Sequence, residues 1–294
     1  MSAFDIVVGR LRAAGCVFAE DEAALLIEAA STGPVLEEMI GRRVRGEPLE
    51  HVIGFAEFCG LRVAVEPGVF VPRQRTQLLV REATALLEPN PTRRTATTEA
   101  RPRTAEPDPG RPPATQATVQ PRAASHGAGI VVDLACGSGA VGAAVATAVP
   151  GIALYAVDIE AAAVRCARRN LAPFGARVHQ GDLFAPLPEE LRGHVTVLVA
   201  NVPYVPSEAV DLLPSEAREH EPLVALDGGP DGLDVMRRVT AAAPGWLAPG
   251  GHVLFETGID QVEAALAALA AAGLAPTVVH DEELYATVVI GRAP

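Results

Sequence analysis

The segment most informative about the fold reads Ile130-Val131-Val132-Asp133-Leu134-Ala135-Cys136-Gly137-Ser138-Gly139-Ala140-Val141-Gly142. Its first five residues are apolar except for Asp133, a pattern typical of a buried strand. The glycines that follow permit a tight turn in which a ligand approaches backbone N–H groups at the start of a helix. The stretch therefore predicts a strand, a glycine turn and a helix, with a ligand site at the turn.

An acidic residue after the next predicted strand indicates a nucleoside ligand. Asp158 follows the apolar run at residues 152–157, where a carboxylate can accept hydrogen bonds from ribose hydroxyls. The glycine spacing by itself also fits a dinucleotide. Asp133 favours a cationic ligand such as S-adenosylmethionine over a pyrophosphate; alternatively, it only caps the helix or shapes the turn. Asp182 follows a further possible strand and either reaches the adenine amino group or is a solvated loop acid.

A proline-rich turn follows the buried run at residues 195–200 and reads Asn201-Val202-Pro203-Tyr204. At the carboxyl end of a strand in an open α/β sheet, such a turn lies where ligands bind. A substrate NH₂ group can donate one hydrogen to the Asn201 side-chain oxygen and the other to the Val202 carbonyl, while Tyr204 supplies a flat wall. Two such acceptors favour a pyramidal nitrogen with its lone pair aimed at a methyl group. Alternatively, the turn only ends a strand.

The first 88 residues predict two small units. Apolar residues recur at helical spacing through residues 1–45, which predicts a small helical N-terminal domain. Residues 46–88 are assigned to a β-hairpin and a linking helix. The hairpin is expected between Glu47 and Val71, where short alternating runs are bounded by glycine and proline.

The remaining residues divide at a change of composition. Residues 89–128 hold 8 prolines, six arginines and three acids, with Val119 as the one large aliphatic side chain. This composition predicts a disordered tether of positive charge, either a tolerated insertion or a basic arm that contacts a partner. Residues 129–294 alternate strand-like runs with alanine-rich helical stretches, which predicts an α/β domain with a parallel sheet.

Composition excludes several classes of protein. The chain has 294 residues, 49% hydrophobic and 20% charged, and a net charge of -12, which is typical of a soluble globular protein and disfavours direct nucleic-acid binding. Cys16, Cys59, Cys136 and Cys166 are widely spaced, so we expect reduced thiols in a cytoplasm and no metal site. The alanine-rich run at residues 264–275 is too short to span a bilayer, and no membrane association is expected.

Taken together, these motifs resemble the HemK/PrmC-type protein-(glutamine-N5) methyltransferases, which carry Asn-Pro-Pro-Tyr at the turn described above. Further matches lie within residues 46–61, at Pro72, Arg73 and Thr76, at residues 221–222 and 225–233, and at residues 249–251. The resemblance implies an α/β fold: a seven-stranded S-adenosylmethionine-dependent methyltransferase (Rossmann-like) domain with a small helical N-terminal domain and a connecting β-hairpin. It also implies S-adenosyl-L-methionine as methyl donor and the glutamine of the Gly-Gly-Gln motif of peptide-chain release factors as methyl acceptor.

The predicted site follows from the motifs and the resemblance together. The expected cofactor-binding residues are Asp133, Ala135, Cys136, Gly137, Ser138, Gly139, Asp158, Asp182, Leu183 and Asn201. The expected catalytic residues are Asn201, Val202, Pro203 and Tyr204. The alternatives are an N-methyltransferase acting on another protein, a nucleic-acid base or a small molecule, an NAD-dependent oxidoreductase, and a noncatalytic relative that binds S-adenosylmethionine.

Three departures from the family pattern bear on the substrate. Val202 stands where the family has its first proline, and it keeps the carbonyl acceptor. Arg75 and Gln77 stand where the family has two acids, close to the predicted site. The helical region before Gly46 is shorter than the family's N-terminal domain. Substrate identity is the expectation that depends most on these positions.

Overall fold

The computed structural model describes residues 2–88 and 129–294. The predicted tether at residues 89–128 lies outside the described residues. The first described part contains helices α1 (Ala3–Ala13), α2 (Ala19–Ala29), α3 (Gly33–Val44) and α4 (Leu49–Ile53), strands β1 (Phe55–Phe58) and β2 (Leu61–Ala64), and helix α5 (Gln77–Leu87). The second part contains β3 (Ile130–Leu134), α6 (Ala140–Ala148), β4 (Ala153–Asp158), α7 (Ala161–Leu171), β5 (Arg177–Gln180), β6 (Val195–Ala200), α8 (Ser215–His220), α9 (Asp234–Ala242), β7 (Leu247–Glu256), α10 (Val262–Ala271), β8 (Ala275–Asp281) and β9 (Ala286–Arg292).

Helices α1–α4 form a small apolar cluster of their own. Leu11, Leu26 and Ile40 are almost completely buried in it, one from each of the first three helices. Ser2 caps α1, since its hydroxyl accepts a hydrogen bond from the Asp5 N–H at 3.1 Å. The helices expected from the sequence are therefore present, while the division of the chain into domains stays a prediction.

The hairpin covers fewer residues than the sequence predicts. Strands β1 and β2 pair antiparallel with Phe58 opposite Leu61, and the turn residues Cys59 and Gly60 both have positive φ (49° and 75°), as a tight hairpin turn requires. Residues assigned to the hairpin before β1 form helix α4 instead. Pro48 precedes the first helical residue and Gly54 ends the helix with a φ of 84°, and both are helix-boundary signals.

The large sheet has the strand order β5-β4-β3-β6-β7-β9-β8 within the described residues. Strands β3 to β7 are mutually parallel, whereas β9 runs antiparallel to β7 and β8 runs antiparallel to β9. The alternation of strands and helices predicts a parallel sheet, and this prediction is wrong at the edge formed by β9 and β8. Only residues 282–285 connect β8 to β9, and so short a connection can only reverse the chain.

The strand order places the candidate site. The chain passes from β3 outward to β4 and β5, and then returns to the other side of β3 as β6. The loops after β3 and β6 therefore leave neighbouring strands in different directions, and ligands of open α/β sheets bind at such a switch point. Val132, Leu198 and Phe255 are buried beneath it. Within the described residues, no helix combines the length and apolar character needed to cross a bilayer.

Candidate functional site

The loop after β3 lies at the carboxyl edge of the sheet and has an unusual backbone conformation. Ala135, Gly137 and Gly139 have positive φ values of 53°, 55° and 78°. A side chain at Gly139 would put its Cβ 3.0 Å from the Leu171 side chain, so α7 packs directly against the glycine turn. The backbone N–H groups that begin α6 consequently face the space above the sheet.

Two buried carboxylates flank this loop. Asp158 ends β4 and accepts hydrogen bonds from the Gly137 N–H at 2.8 Å and the Glu160 N–H at 2.9 Å, one on each oxygen. Burial raises its pKa, and the two backbone donors oppose that rise. Each oxygen retains a second lone pair for a ligand hydroxyl. The two backbone bonds also fix the carboxylate in one orientation.

Asp133 is buried more deeply than its predicted role beside a cation requires. It is 2% exposed and accepts a hydrogen bond from the Gly142 N–H at 2.9 Å. Burial raises its pKa to about 7, with a smaller rise from the nearby charge of Asp158. The structure therefore gives Asp133 the turn-shaping contact of the alternative interpretation, although it also lines the cavity above the loop.

A first cavity collects most of the predicted cofactor residues. It is lined by Asp133, Ala135, Cys136, Gly137, Ser138, Asp158, Asp182, Leu183, Asn201 and Pro203. Gly139, which is the N-cap of α6, is the one predicted cofactor residue that does not line this cavity. Asp182 is half exposed and pairs with Arg238 at 2.5 Å, and Leu183 has a positive φ of 48°. The residues described in the structure contain no group of three or more potential metal ligands.

The turn after β6 connects this cavity to a second one. Asn201 lines both cavities, and its side-chain oxygen is buried without a hydrogen-bond partner in the described residues. Buried polar atoms normally have partners, so this oxygen is a candidate ligand contact. Val202 is buried, while the Tyr204 hydroxyl donates to Glu256 Oε1 at 2.8 Å. Burial raises the pKa of the Tyr204 phenol.

A second glycine-rich loop, at residues 228–232, packs against this turn. In the sequence it is noted only as part of a block that matches the family. A Cβ at Gly228 would lie 2.7 Å from the Pro203 carbonyl oxygen. A Cβ at Gly232, whose φ is 78°, would overlap the Tyr204 carbonyl oxygen and the Gln261 side chain. Gln261 Nε2 also donates to the Tyr204 carbonyl at 2.8 Å. Close packing against the backbone of the turn therefore requires glycine at positions 228 and 232.

Two contacts between distant residues have no signal in the sequence pattern. Asn170, on α7, accepts from the Ala64 N–H at 3.0 Å and donates to the carbonyls of Ala64 and Ser138, both at 2.8 Å. It thus connects strand β2 to the glycine loop. Glu221 accepts from Arg73 at 2.7 Å and from the Val71 N–H at 3.1 Å. Both bonds attach the segment before α5 to the loop preceding α9.

Several charged side chains line the second cavity. Charged side chains on it are Glu50, Arg73, Arg75, Glu216 and Glu221, and Phe70, Asn201, Tyr204 and Tyr285 contribute further walls. Tyr285 is 90% exposed and has a positive φ of 49°. The two cavities share Phe70, Asn201 and Ala225. A donor molecule in the first cavity and an acceptor in the second would therefore meet beside Asn201.

Comparison with known proteins assigns the family. The Methyltransferase small domain matches residues 114–214. The release factor glutamine methyltransferase of Geobacter sulfurreducens is 35% identical over 78% of this chain and 66% of its own length. That of Moorella thermoacetica is 36% identical over 77% of this chain and 68% of its own length. The chain belongs to the release factor glutamine methyltransferase family.

Not every relative of this chain is named for a protein substrate. The 4-amino-L-phenylalanine/4-methylamino-L-phenylalanine methyltransferase of Streptomyces pristinaespiralis is 35% identical over 80% of this chain and 69% of its own length. The chain spans about two thirds of the length of these curated relatives. Family membership makes S-adenosylmethionine the cofactor.

The residues of the first cavity fit that cofactor. Asp158 has unused acceptor capacity for two hydroxyls, and the glycine turn brings backbone N–H groups to the cavity without side chains in between. Asn201, whose buried side-chain oxygen has no hydrogen-bond partner among the described residues, lines both cavities. A release factor glutamine methyltransferase needs this arrangement of a nucleoside site beside an amide acceptor.

Proposed function

We propose that this chain transfers a methyl group from S-adenosylmethionine to the side-chain amide nitrogen of a glutamine in a peptide-chain release factor, at its Gly-Gly-Gln motif. The observation that supports this most is that Asn201 lines both cavities and that its buried side-chain oxygen finds no partner within residues 2–88 and 129–294. Leaving a buried acceptor unpaired costs about 1–3 kcal/mol, so the position is explained best by a substrate donor.

The first cavity is proposed as the cofactor site. Asp158 would accept hydrogen bonds from the two ribose hydroxyls, and residues 135–139 would bring the backbone close to the methionine part. Asp182 and Leu183 would contact the adenine, and Asp133 would stabilise the ammonium group through its charge. When bound, the cofactor supplies an electrophilic methyl group on a sulfonium.

The turn after β6 is proposed as the acceptor site. An amide nitrogen is a weak nucleophile, because its lone pair is delocalised into the carbonyl group. Asn201 Oδ1 and the Val202 carbonyl would each accept one N–H bond, which orients the nitrogen and favours a pyramidal geometry. Pro203 stiffens the turn, and Tyr204 bounds the cavity with its ring. The proton leaves the nitrogen after the methyl group has been transferred.

The remaining expectations concern partners. The proposed partner is a protein, and the net charge of -12 opposes a direct role for nucleic acid. A release factor acts during translation, so the proposal agrees with the cytoplasmic location expected from the widely spaced cysteines. All four cysteines are free.

Methyl transfer to a purified release factor tests the proposal directly. The chain is incubated with radiolabelled S-adenosylmethionine and a release factor, and the labelled peptide is mapped. We expect label on the Gly-Gly-Gln glutamine and none on a release factor in which that glutamine is alanine. Label at any other residue, or no label on the intact factor, would contradict the proposed substrate.

A second candidate function is N-methylation of a small amine-bearing amino acid. It is favoured by the similarity to the 4-amino-L-phenylalanine/4-methylamino-L-phenylalanine methyltransferase, which is 35% identical over 80% of this chain, as the release factor enzyme of Geobacter sulfurreducens is 35% identical over 78% of it. The same two acceptors at the turn can hold the N–H groups of an arylamine. Assay of 4-amino-L-phenylalanine in parallel with the release factor distinguishes the two functions.

A further inference from the structure

Arg75 brings a positive charge to the wall of the second cavity. It lies in the turn Gln74–Thr76, immediately before α5, and lines the same cavity as Asn201. Its guanidinium carbon is 5.5 Å from the centre of the Tyr204 ring, and its side chain is 46% exposed. The charge is therefore accessible to a molecule that occupies the acceptor site.

A buried carboxylate sets the orientation of this guanidinium. Arg75 Nε donates to Glu256 Oε1 at 2.9 Å, and the Tyr204 hydroxyl donates to the same oxygen at 2.8 Å. Glu256 is 3% exposed at the end of β7, so it forms a rigid support. Within residues 2–88 and 129–294, the two terminal nitrogens of Arg75 make no hydrogen bond. They form a planar fork that matches the geometry of a carboxylate.

Both arginines of the cavity pair with a buried glutamate, and Arg75 is the more exposed of the two, 46% against 34% for Arg73. Arg73 is bonded to Glu221, and Glu216 pairs with Arg43 at 2.7 Å. Glu50, on α4, adds a negative charge to the same cavity. A carboxylate in the cavity is repelled by Glu50 and attracted by the fork of Arg75.

We propose that Arg75 is a specificity-determining residue that binds a carboxylate of the substrate whose nitrogen lies at Asn201. The inference rests on the proposed methyl-transfer function of the turn after β6. The carboxylate is either an acidic side chain next to a target glutamine or the α-carboxylate of a free amino acid. The exposed ring of Tyr285, held at positive φ on the same cavity, is a further surface for such a substrate.

Matched ligand pairs test the proposal by binding, independently of turnover. The first pair is acetyl-Gly-Gly-Gln-Asp-amide and acetyl-Gly-Gly-Gln-Asn-amide, and the second is N-acetyl-L-glutamine and its α-amide. Each pair differs only by a carboxylate. Dissociation constants are measured by calorimetry on the full chain saturated with S-adenosylhomocysteine. We expect the carboxylate member of at least one pair to bind about tenfold tighter or more, since hydrogen bonds to charged groups are strong.

Three variants assign the preference to the fork of Arg75. Arg75→Gln should reduce it to about twofold or less, and Arg75→Lys, which keeps the charge without the fork, should leave an intermediate preference. Arg192→Gln is the matched control, because Arg192 is 49% exposed and pairs with Glu189 away from both cavities. This control should keep the preference of the parent chain.

The outcomes separate this inference from the proposed function. Preference within the peptide pair identifies an acidic neighbour of the glutamine, and preference within the amino-acid pair identifies an α-carboxylate. Equal affinity within both pairs, absence of binding, or a preference that persists in Arg75→Gln overturns the inference. If the preference depends on Arg75 while no glutamine is methylated, the inference stands and the proposed reaction fails. If glutamine is methylated without any preference, the reaction stands alone.

Discussion

At the scale of single residues, Asn201 is the position where function and stability oppose one another. Its side-chain oxygen is buried without a partner in the described part of the chain, so Asn201→Ala should leave the free energy of unfolding unchanged or raise it by about 1 kcal/mol. The rate of methyl transfer should fall by about 10²–10³-fold, the loss typical of removing one preorganised polar contact. Single-turnover rates, cofactor titration and urea unfolding on one preparation provide the measurements.

The Asn201 prediction has a graded control. Asn201→Asp keeps an acceptor oxygen but adds a charge and removes the NH₂ group, so we expect partial activity at most. Cofactor affinity should change much less than the rate in both variants. An Asn201→Ala chain that transfers methyl groups at the parental rate would remove the turn from the mechanism.

Asp133 predicts a dependence of stability on pH. Burial raises its pKa to about 7 from 3.8, so between about pH 4 and pH 7 the folded chain holds a proton that the unfolded chain has lost. The contribution to folding is complete below the unfolded pKa and disappears as the pH rises through the folded value. The free energy of unfolding of the parent chain should therefore fall by roughly 2–4 kcal/mol as the pH rises across this window, and Asp133→Asn should abolish this fall.

Urea unfolding at pH 5 and pH 8 measures the difference between the parent and Asp133→Asn. Asp21→Asn changes an exposed acid on α2 and serves as the control. The unfolding free energy of the parent should decline with pH more steeply than that of Asp133→Asn. Parallel profiles for the two chains would show that Asp133 is ionised throughout the window.

At the scale of elements, the loop before α9 determines where the turn after β6 lies. Gly232→Ala would overlap the Tyr204 carbonyl and the Gln261 side chain at a φ of 78°. Gly15→Ala is the matched control, since its φ is 90° and a Cβ there meets open space. The control should cost about 1–2 kcal/mol for the backbone conformation alone, and Gly232→Ala about 1–3 kcal/mol more because of overpacking.

The same substitution should also reduce catalysis. A shift of the Tyr204 carbonyl moves Asn201 with it, and misplacement by about 1 Å can cost 10²-fold in rate. Gly15 lies between α1 and α2, so Gly15→Ala should keep the parental methyl-transfer rate per folded molecule. Equal unfolding free energies for the two alanine variants would show that the loop adapts without strain.

At the scale of the whole molecule, Glu221 joins the first part of the chain to the second. It is 6% exposed and accepts bonds from the Arg73 side chain and the Val71 N–H. Glu221→Ala leaves both donors without this acceptor, which should cost about 2–3 kcal/mol. Glu28→Ala, which breaks the exposed pair with Arg62, should cost less than about 1 kcal/mol.

A double-mutant cycle on Arg73 and Glu221 isolates the pair. Arg73→Ala leaves Glu221 buried, so the double variant should be destabilised by less than the sum of the single variants, with a coupling of about 1–3 kcal/mol. Additive losses would show that the two side chains act independently. Denaturant unfolding supplies the four free energies.

Local sequence signals predict most of the helices and strands of the chain and most residues of the candidate site. The sequence pattern predicts the glycine turn at residues 137–142, Asp158 after the next strand and the turn that begins at Asn201. Each depends on backbone conformation and apolar spacing over a few neighbouring residues, and such signals are local. Local signals of the same kind predict the hairpin, although they place the residues of helix α4 within it.

The way these helices, strands and turns contact one another follows from the tertiary structure and not from local sequence signals. The antiparallel edge of the sheet, the support of Arg75 and Tyr204 by Glu256, the bridge made by Asn170 and the pairing of Arg73 with Glu221 join residues far apart in the chain. Glu221 and Arg73 are 148 positions apart. No spacing rule along the chain encodes such a contact, because it depends on how strands are ordered in the sheet and on which buried polar atoms then need partners.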